Sequence, residues 1–176
     1  MITLTLDTSC INAKGKNQEL NQLEILQDKG LILLVRTTSV EEELLQPDDE
    51  LYRSQRIEKF NKYDEVDIGI WVLGFSRLGI STKLGSESSQ EEMNQMAAIL
   101  FPTRTWSSLT TNQLRDIMIL HTHWINKRDI FVTLNSHDFI GRRGTRKKRL
   151  GQLFNISVMT PIEALEYIKS RLNLNP

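Results

Sequence analysis

Ile2-Thr3-Leu4-Thr5-Leu6-Asp7-Thr8-Ser9 is the stretch on which the fold turns. Residues 2–6 alternate apolar and β-favouring side chains, the pattern of a strand. The run stops at a carboxylate followed by two hydroxyls. In open α/β sheets, ligands bind outside the carboxyl ends of the strands. A strand that ends by presenting Asp7 therefore marks a place to look for chemistry, provided the chain supplies further strand–helix units.

The chain does supply them. Leu20, Leu23, Ile25 and Leu26 form a helical stripe closed by Gly30. Leu31-Ile32-Leu33-Leu34-Val35 is a continuous apolar run of strand length, as expected for a parallel strand buried on both faces. Thr37, Thr38 and Ser39 offer N-caps for a helix over 40–45 that Pro47 cuts. Residues 48–64 have helical spacing among many charges, and the glycine-bearing segment 68–75 suits a strand or a buried helix. Ser86 to Gln90 is expected as a polar loop before a short helix over 91–100. Thr110 or Thr111 caps a long helix with Leu114, Ile117, Met118, His121, Trp124 and Ile125 on one side. Ile130 to Leu134 and Ile156 to Met159 are strands with a basic loop between them. Thr160-Pro161-Ile162-Glu163 then combines an N-cap, Pro at the first helical position and a capping-box Glu. Alternating strands and helices imply right-handed crossovers and a mostly parallel sheet with helices on both faces. The fold class is α/β, expected as one domain over residues 1–176 with a poorly placed segment at about 46–109.

Bulk properties narrow the function. No apolar run approaches the roughly 18 residues needed to span a bilayer, so a membrane partner is not expected. Cys10 is the sole cysteine, which excludes an internal disulfide and any multi-cysteine metal site. A cytoplasmic protein is the expectation. The 22 basic and 22 acidic residues cancel, so the distribution of charge matters more than its sum. Acids gather at Glu41, Glu42, Glu43, Asp48, Asp49 and Glu50. Bases gather at Arg142, Arg143, Arg146, Lys147, Lys148 and Arg149. This basic run follows a predicted strand-end turn and suits contact with a phosphate backbone, or simple solvation of a loop. His121 and His123 are two apart on a helix and face different ways, unlike the i,i+4 spacing of helical zinc ligands. The glycines at 74 and 79 fit neither a dinucleotide fingerprint nor a Walker-A loop. Of the tryptophans, Trp71 and Trp124 have apolar neighbours that suit a core, and Trp106 suits a surface role.

The polar residues predicted at strand ends are Asp7, Thr8, Ser9 and Asn12, then Thr38, Ser39 and Glu43, then Thr133, Asn135 and Asp138. Asp116 lies in the first turns of the helix leading to the third of these strands. A carboxylate there also suits the helix macrodipole. Carboxylates converging on one point repel unless a cation lies among them, and hard divalent ions such as Mg²⁺ or Mn²⁺ prefer oxygen ligands. Such a site suits phosphodiester hydrolysis without a nucleophilic side chain.

The same residues resemble the PIN-domain family. Ile2 to Ser9 is similar to that family's opening strand and first acid. Val40-Glu41-Glu42-Glu43-Leu44 resembles its second element, pointing to Glu43. Leu114-Arg115-Asp116-Ile117-Met118 resembles the start of the helix with the third acid. Asp129 to Phe139 resembles the closing strand and turn. The resemblance covers residues 2–12, about 31–45 and 110–172. It implies a three-layer α/β/α sandwich and cleavage of single-stranded RNA that depends on Mg²⁺ or Mn²⁺. Asp7, Glu43, Asp116 and Asn135 would be the metal ligands and catalytic residues, joined by Asp138. Thr8, Ser9 and Thr133 would support them, and Arg142, Arg143, Arg146, Lys147 and Lys148 would contact nucleic acid. Many bacterial members are toxins neutralised by an antitoxin, and the apolar helical stripes offer surface for a homodimer. Asn135 stands where the family often has aspartate, which removes one negative charge. The alternative is a catalytically weak PIN-like module that binds RNA or protein.

Overall fold

Five parallel strands lie in the order β3-β2-β1-β6-β7, with β1 (Ile2–Leu6) at the centre of the computed structural model. The structure describes residues 1–13, 16–37, 65–67, 70–71, 83–84 and 87–174. β1 pairs with β2 (Ile32–Thr37) from Ile2 opposite Ile32 to Thr5 opposite Val35. On its other edge it pairs with β6 (Ile130–Val132), Leu4 opposite Ile130 and Leu6 opposite Val132. β3 (Glu65–Asp67) extends the sheet beyond β2, and β7 (Val158–Met159) extends it beyond β6. A separate parallel pair joins β4 (Ile70–Trp71) to β5 (Lys83–Leu84).

This order has a direct consequence. The chain winds from β1 outward through β2 to β3, then returns and winds the other way through β6 to β7. The reversal falls between β1 and β6, and loops leaving those two strands diverge to opposite sides of the sheet. That divergence opens a crevice at their carboxyl ends. Asp7 leaves β1 there, and Thr133 leaves β6 there.

The helices form the outer layers. After β1 come α1 (Thr8–Asn12) and α2 (Gln18–Asp28), and α2 packs on β2 and against α6 (Pro161–Arg171). On the other side α3 (Glu87–Leu100) packs against both α4 (Thr111–Ile125) and α5 (Thr145–Phe154). The three-layer α/β/α architecture expected from the sequence is the one observed. Its core runs through Leu4, Leu6, Ile32, Leu34, Phe131 and Val132 of the sheet, all 0–1% exposed, with Ile130 opposite Leu4 at 2%. Capping follows the sequence signals. Thr110 and Gln113 close a capping box on α4, as Thr160 and Glu163 do on α6 with Pro161 at the first position.

Several expectations are corrected. The basic run is not a loop: from Thr145 it is α5, because Leu150 and Phe154, four residues apart, bury one stripe while the cations take the remaining faces. Residues 87–90 open α3 instead of forming a loop. Ile25 is half exposed, since α2 turns Leu20, Leu23 and Leu26 to the core and leaves it behind. Trp106 is partly buried against the core, as is Trp124. Among the described residues no helix is long and apolar enough to cross a membrane. The helices expected over 40–45 and 48–64 lie outside the described residues.

Two histidines on α4 are structural. His121 is buried with Nε2 2.9 Å from Glu92 Oε2, joining α4 to α3. His123 is buried with Nδ1 2.9 Å from Thr5 Oγ1, joining α4 to β1, and its ring meets Phe131 edge-on. Burial depresses the His123 pKa from 6.5 to about 3. Unfolding exposes this ring to water and lets it take up a proton. Its contribution is therefore fully present above pH 6.5 and is lost as pH falls toward about 3. We expect stability, read from urea midpoints, to fall across that window with a His123 component of up to about 1.4 kcal/mol per pH unit. In His123→Asn, which cannot titrate there, that component should be absent. An identical pH profile in the variant would show that His123 does not carry it.

Candidate active site

Asp7 follows β1 directly and is 2% exposed. A buried carboxylate must find donors, and two hydroxyls supply them. Ser9 Oγ donates to Asp7 Oδ2 at 2.6 Å, and Thr133 Oγ1 donates to the same oxygen at 2.9 Å. Each hydroxyl in turn accepts a backbone N–H from the loop after β6. Leu134 N donates to Ser9 Oγ at 3.1 Å, and Asn135 N donates to Thr133 Oγ1 at 2.9 Å. Two relays of the form N–H to hydroxyl to carboxylate thus converge on one oxygen, and each link polarises the next. Asp7 N also donates to Val132 O at 3.0 Å. The segments leaving β1 and β6 are fastened together at the point where the sheet reverses direction.

A cleft of about 330 Å³ opens there, lined by Asp7, Thr8, Ser9 and Asn12 from the β1 side. Asp116, Asn112 and Gln113 of α4 line it too, as do Asn135 and Asp138 from the turn after β6. The fold therefore brings Asp7, Asp116, Asn135 and Asp138, with Thr8 and Ser9, to one cleft, from residues up to 131 positions apart in the chain. Thr133 is fully buried beneath it. Glu43 lies outside the described residues. Asn112 and Gln113 were not singled out from sequence. The signal was present: they precede Asp116 by four and three positions, and so share its helical face.

The turn after β6 gives Asn135 and Asp138 specific duties. Asn135 Oδ1 accepts Asp138 N at 3.2 Å, capping the one-turn helix Ser136–Ile140. Asn135 Nδ2 donates to Asp138 Oδ2 at 3.0 Å. The other oxygen of Asp138 lies 2.8 Å from His137 Nδ1 and 3.7 Å from Arg146 Nη1. Asp138 is thus surrounded by donors and cations, and Asn135 spends both ends of its amide on the turn. Arg146 also donates to the carbonyl oxygens of His137 and Asp138. It braces this turn from α5, while Lys147 is paired with Glu163 at 2.8 Å. Both were expected at the nucleic acid, and both have structural partners. Arg142, Arg143, Lys148 and Arg149 are exposed.

Two further atoms bear on a metal. Thr8 Oγ1 and Asn12 Oδ1 are buried oxygens without a hydrogen-bond partner, and both residues line the cleft. Orphaned oxygens beside two carboxylates make an all-oxygen donor set of the kind that suits a hard divalent cation, and Mg²⁺ needs only one or two protein carboxylates with water completing its shell. Among the described residues no three His, Cys, Asp or Glu side chains gather into a metal-binding group. Cys10 supplies no nucleophile. Burial, and then the charge of Asp7, push its thiol pKa far up, and Sγ donates to Val132 O at 3.4 Å.

The fold has a solved counterpart. The chain is similar to one in the crystal structure of VapBC2 from Rickettsia felis bound to a DNA fragment from their promoter. The identity is 13% and the TM-score 0.50, covering 90% of this chain and 98% of that one. No protein-family model matches the chain, and no curated protein matches it in sequence. At this identity the likeness establishes the fold alone, the three-layer α/β/α architecture expected from the sequence.

The Asn135–Asp138 pair yields a prediction opposite to the one its sequence position suggests. Asn135→Asp would set a second carboxylate against Asp138 and remove the Nδ2 donor. We expect a loss of about 1–3 kcal/mol in urea unfolding. The swapped pair Asn135→Asp with Asp138→Asn keeps one amide facing one carboxylate and should recover about half or more of that loss. No loss in the single variant would show that the pair does not hold the turn.

Proposed function

We propose that this protein is a metal-dependent endoribonuclease acting on single-stranded RNA. One observation carries the reading: a nearly inaccessible carboxylate, Asp7, is oriented by two hydroxyl relays at the sheet's switch point, in a cleft shared with Asp116 and with two orphaned oxygens. Such pre-positioning of charge is what catalysis by electrostatic stabilisation requires.

Asp7 and Asp116 are the acids we assign to the metal, with Asn12 and Thr8 as neutral oxygen donors and Glu43 as a third acid. Mg²⁺ or Mn²⁺ held there would supply the Lewis acid for phosphodiester hydrolysis. Ser9 and Thr133 fix the Asp7 carboxylate, so it needs no reorganisation when substrate arrives. Asn135 and Asp138 set the wall of the cleft through the Ser136–Ile140 turn. We assign them to positioning, because their polar atoms are engaged with each other and with His137 and Arg146. The similarity to VapBC2 supports an antitoxin protein as a partner of this chain, and Cys10 as a buried thiol suits the cytoplasm.

A second reading has its own support. With Asn135 in place of an acid and Asp138 compensated, the β6 side of the cleft adds little negative charge, as expected of a PIN-like module that binds RNA without cutting it.

Incubation of the protein with a labelled single-stranded RNA, with and without Mn²⁺, separates the two. We expect metal-dependent cleavage, reduced more than about 100-fold in Asp7→Asn and in Asp116→Asn, with thermal midpoints close to the parent's for the more exposed Asp116. Intact RNA in every metal condition, with salt-sensitive binding retained, would establish the binding module instead.

A further inference from the structure

The Ser136–Ile140 turn is a wall shared by two concavities. On one side is the carboxylate cleft. On the other is a larger pocket of about 580 Å³, lined by Ser136, His137, Arg142, Thr145, Arg146 and Arg149. Ile99 and Pro102 supply apolar surface to it. Its shape comes from a sharp reversal of the backbone. Gly141, Arg143 and Gly144 all have positive φ, at 73°, 55° and 73°. For the non-glycine Arg143 this conformation costs on the order of 1 kcal/mol. A Cβ on Gly141 would stand 2.8 Å from Arg146 Cγ, so only glycine lets Arg146 lie against the turn. The reversal folds Arg142 back toward the first turns of α5, where Arg149 stands on the same pocket.

The three arginines are not equivalent. Arg146 is engaged with two carbonyls and with the Asp138 carboxylate. Arg142 and Arg149 have no acidic partner among the described residues. Two uncompensated guanidinium groups on one concave surface repel each other and focus a positive potential into it. An anion relieves that repulsion. The guanidinium fork matches phosphate oxygens, and the Ser136 and Thr145 hydroxyls can donate to the same group.

We propose that this pocket is a phosphate-binding subsite that takes one backbone phosphate of the RNA strand whose neighbouring phosphate lies in the carboxylate cleft, with Arg142 and Arg149 as its ligands. The inference rests on the proposed function for the identity of the strand. It separates the basic run by role. Arg142 and Arg149 hold the strand, and Arg146 and Lys147 hold the fold.

The test is equilibrium binding of a labelled single-stranded RNA in EDTA, where no cleavage occurs, across a salt series. The chains compared are the parent, the double variant Arg142→Ala with Arg149→Ala, the double lysine variant, and Lys29→Ala as a distant surface control. We expect the double alanine variant to bind about tenfold more weakly. Its log–log salt slope should be shallower by about 0.7, the increment for one phosphate contact on a single strand. The lysine variant should recover most of the slope, and Lys29→Ala should match the parent. The difference should vanish on an uncharged-backbone oligonucleotide of the same bases. Equal slopes for the parent and the double alanine variant would overturn the proposal. So would an equal effect on the uncharged strand, or a parent that binds no RNA. Loss of cleavage by the parent in Mn²⁺, with the slope difference intact, would sink the nuclease reading and leave the subsite standing.

Discussion

A carboxylate removed from water is costly unless donors meet it, and the donors that meet Asp7 come from two separate parts of the chain. Ser9 lies two residues on, while Thr133 lies 126 residues away in sequence. Each hydroxyl is itself loaded by a backbone N–H from the segment after β6. The arrangement therefore exists only when β1 and β6 are paired in the correct register. A slip of one residue would turn Thr133 to the opposite face and leave the carboxylate with half its donors. The requirement to satisfy one buried charge thus enforces the strand register that also creates the cleft. Site and fold share one constraint.

The rest of the molecule reinforces that register from other directions. Asp129, just before β6, accepts both the N–H and the hydroxyl of Thr3 at 2.7 Å, fastening the opposite ends of the same two strands. His123 reaches from α4 to Thr5 in the middle of β1. Phe131 fills the space beneath, against Phe139 of the turn that carries Asn135 and Asp138, with ring centroids 4.9 Å apart. Movement of the turn would therefore disturb the core, and this coupling keeps a polar wall rigid without a long element behind it.

Charge is distributed in an equally economical way. On one side of the turn, Asp7 and Asp116 line a cleft suited to cations; on the other, Arg142 and Arg149 line a pocket suited to anions. Arg146 and Asp138 sit between them and partly neutralise each other. A net charge of zero conceals this separation. A polyanion that needs its backbone held and one of its phosphates activated would find both functions on adjacent surfaces.

The fold class was legible in the sequence alone, as were most of the polar positions that line the cleft. Alternation in residues 2–6, the apolar run at 31–35 and the capping boxes at Thr110 and Thr160 are local signals, governed by strand and helix periodicity and by the backbone's need for partners at helix ends. Because ligand sites in such sheets sit at strand ends, Asp7 and Asn135 could be named before any geometry was known, and Asp116 from its place in the first turns of the helix leading to β6. What each polar atom does was decided by tertiary structure. The sequence marked Asn135 as a missing acid; the fold makes it the cap of a turn and the donor to Asp138. The sequence showed six clustered bases; helix α5 divides them, turning Arg146 and Lys147 to structural partners and Arg149 to the pocket. Hydrogen-bond satisfaction depends on which groups from distant segments arrive within 3 Å, and no local pattern encodes that distance.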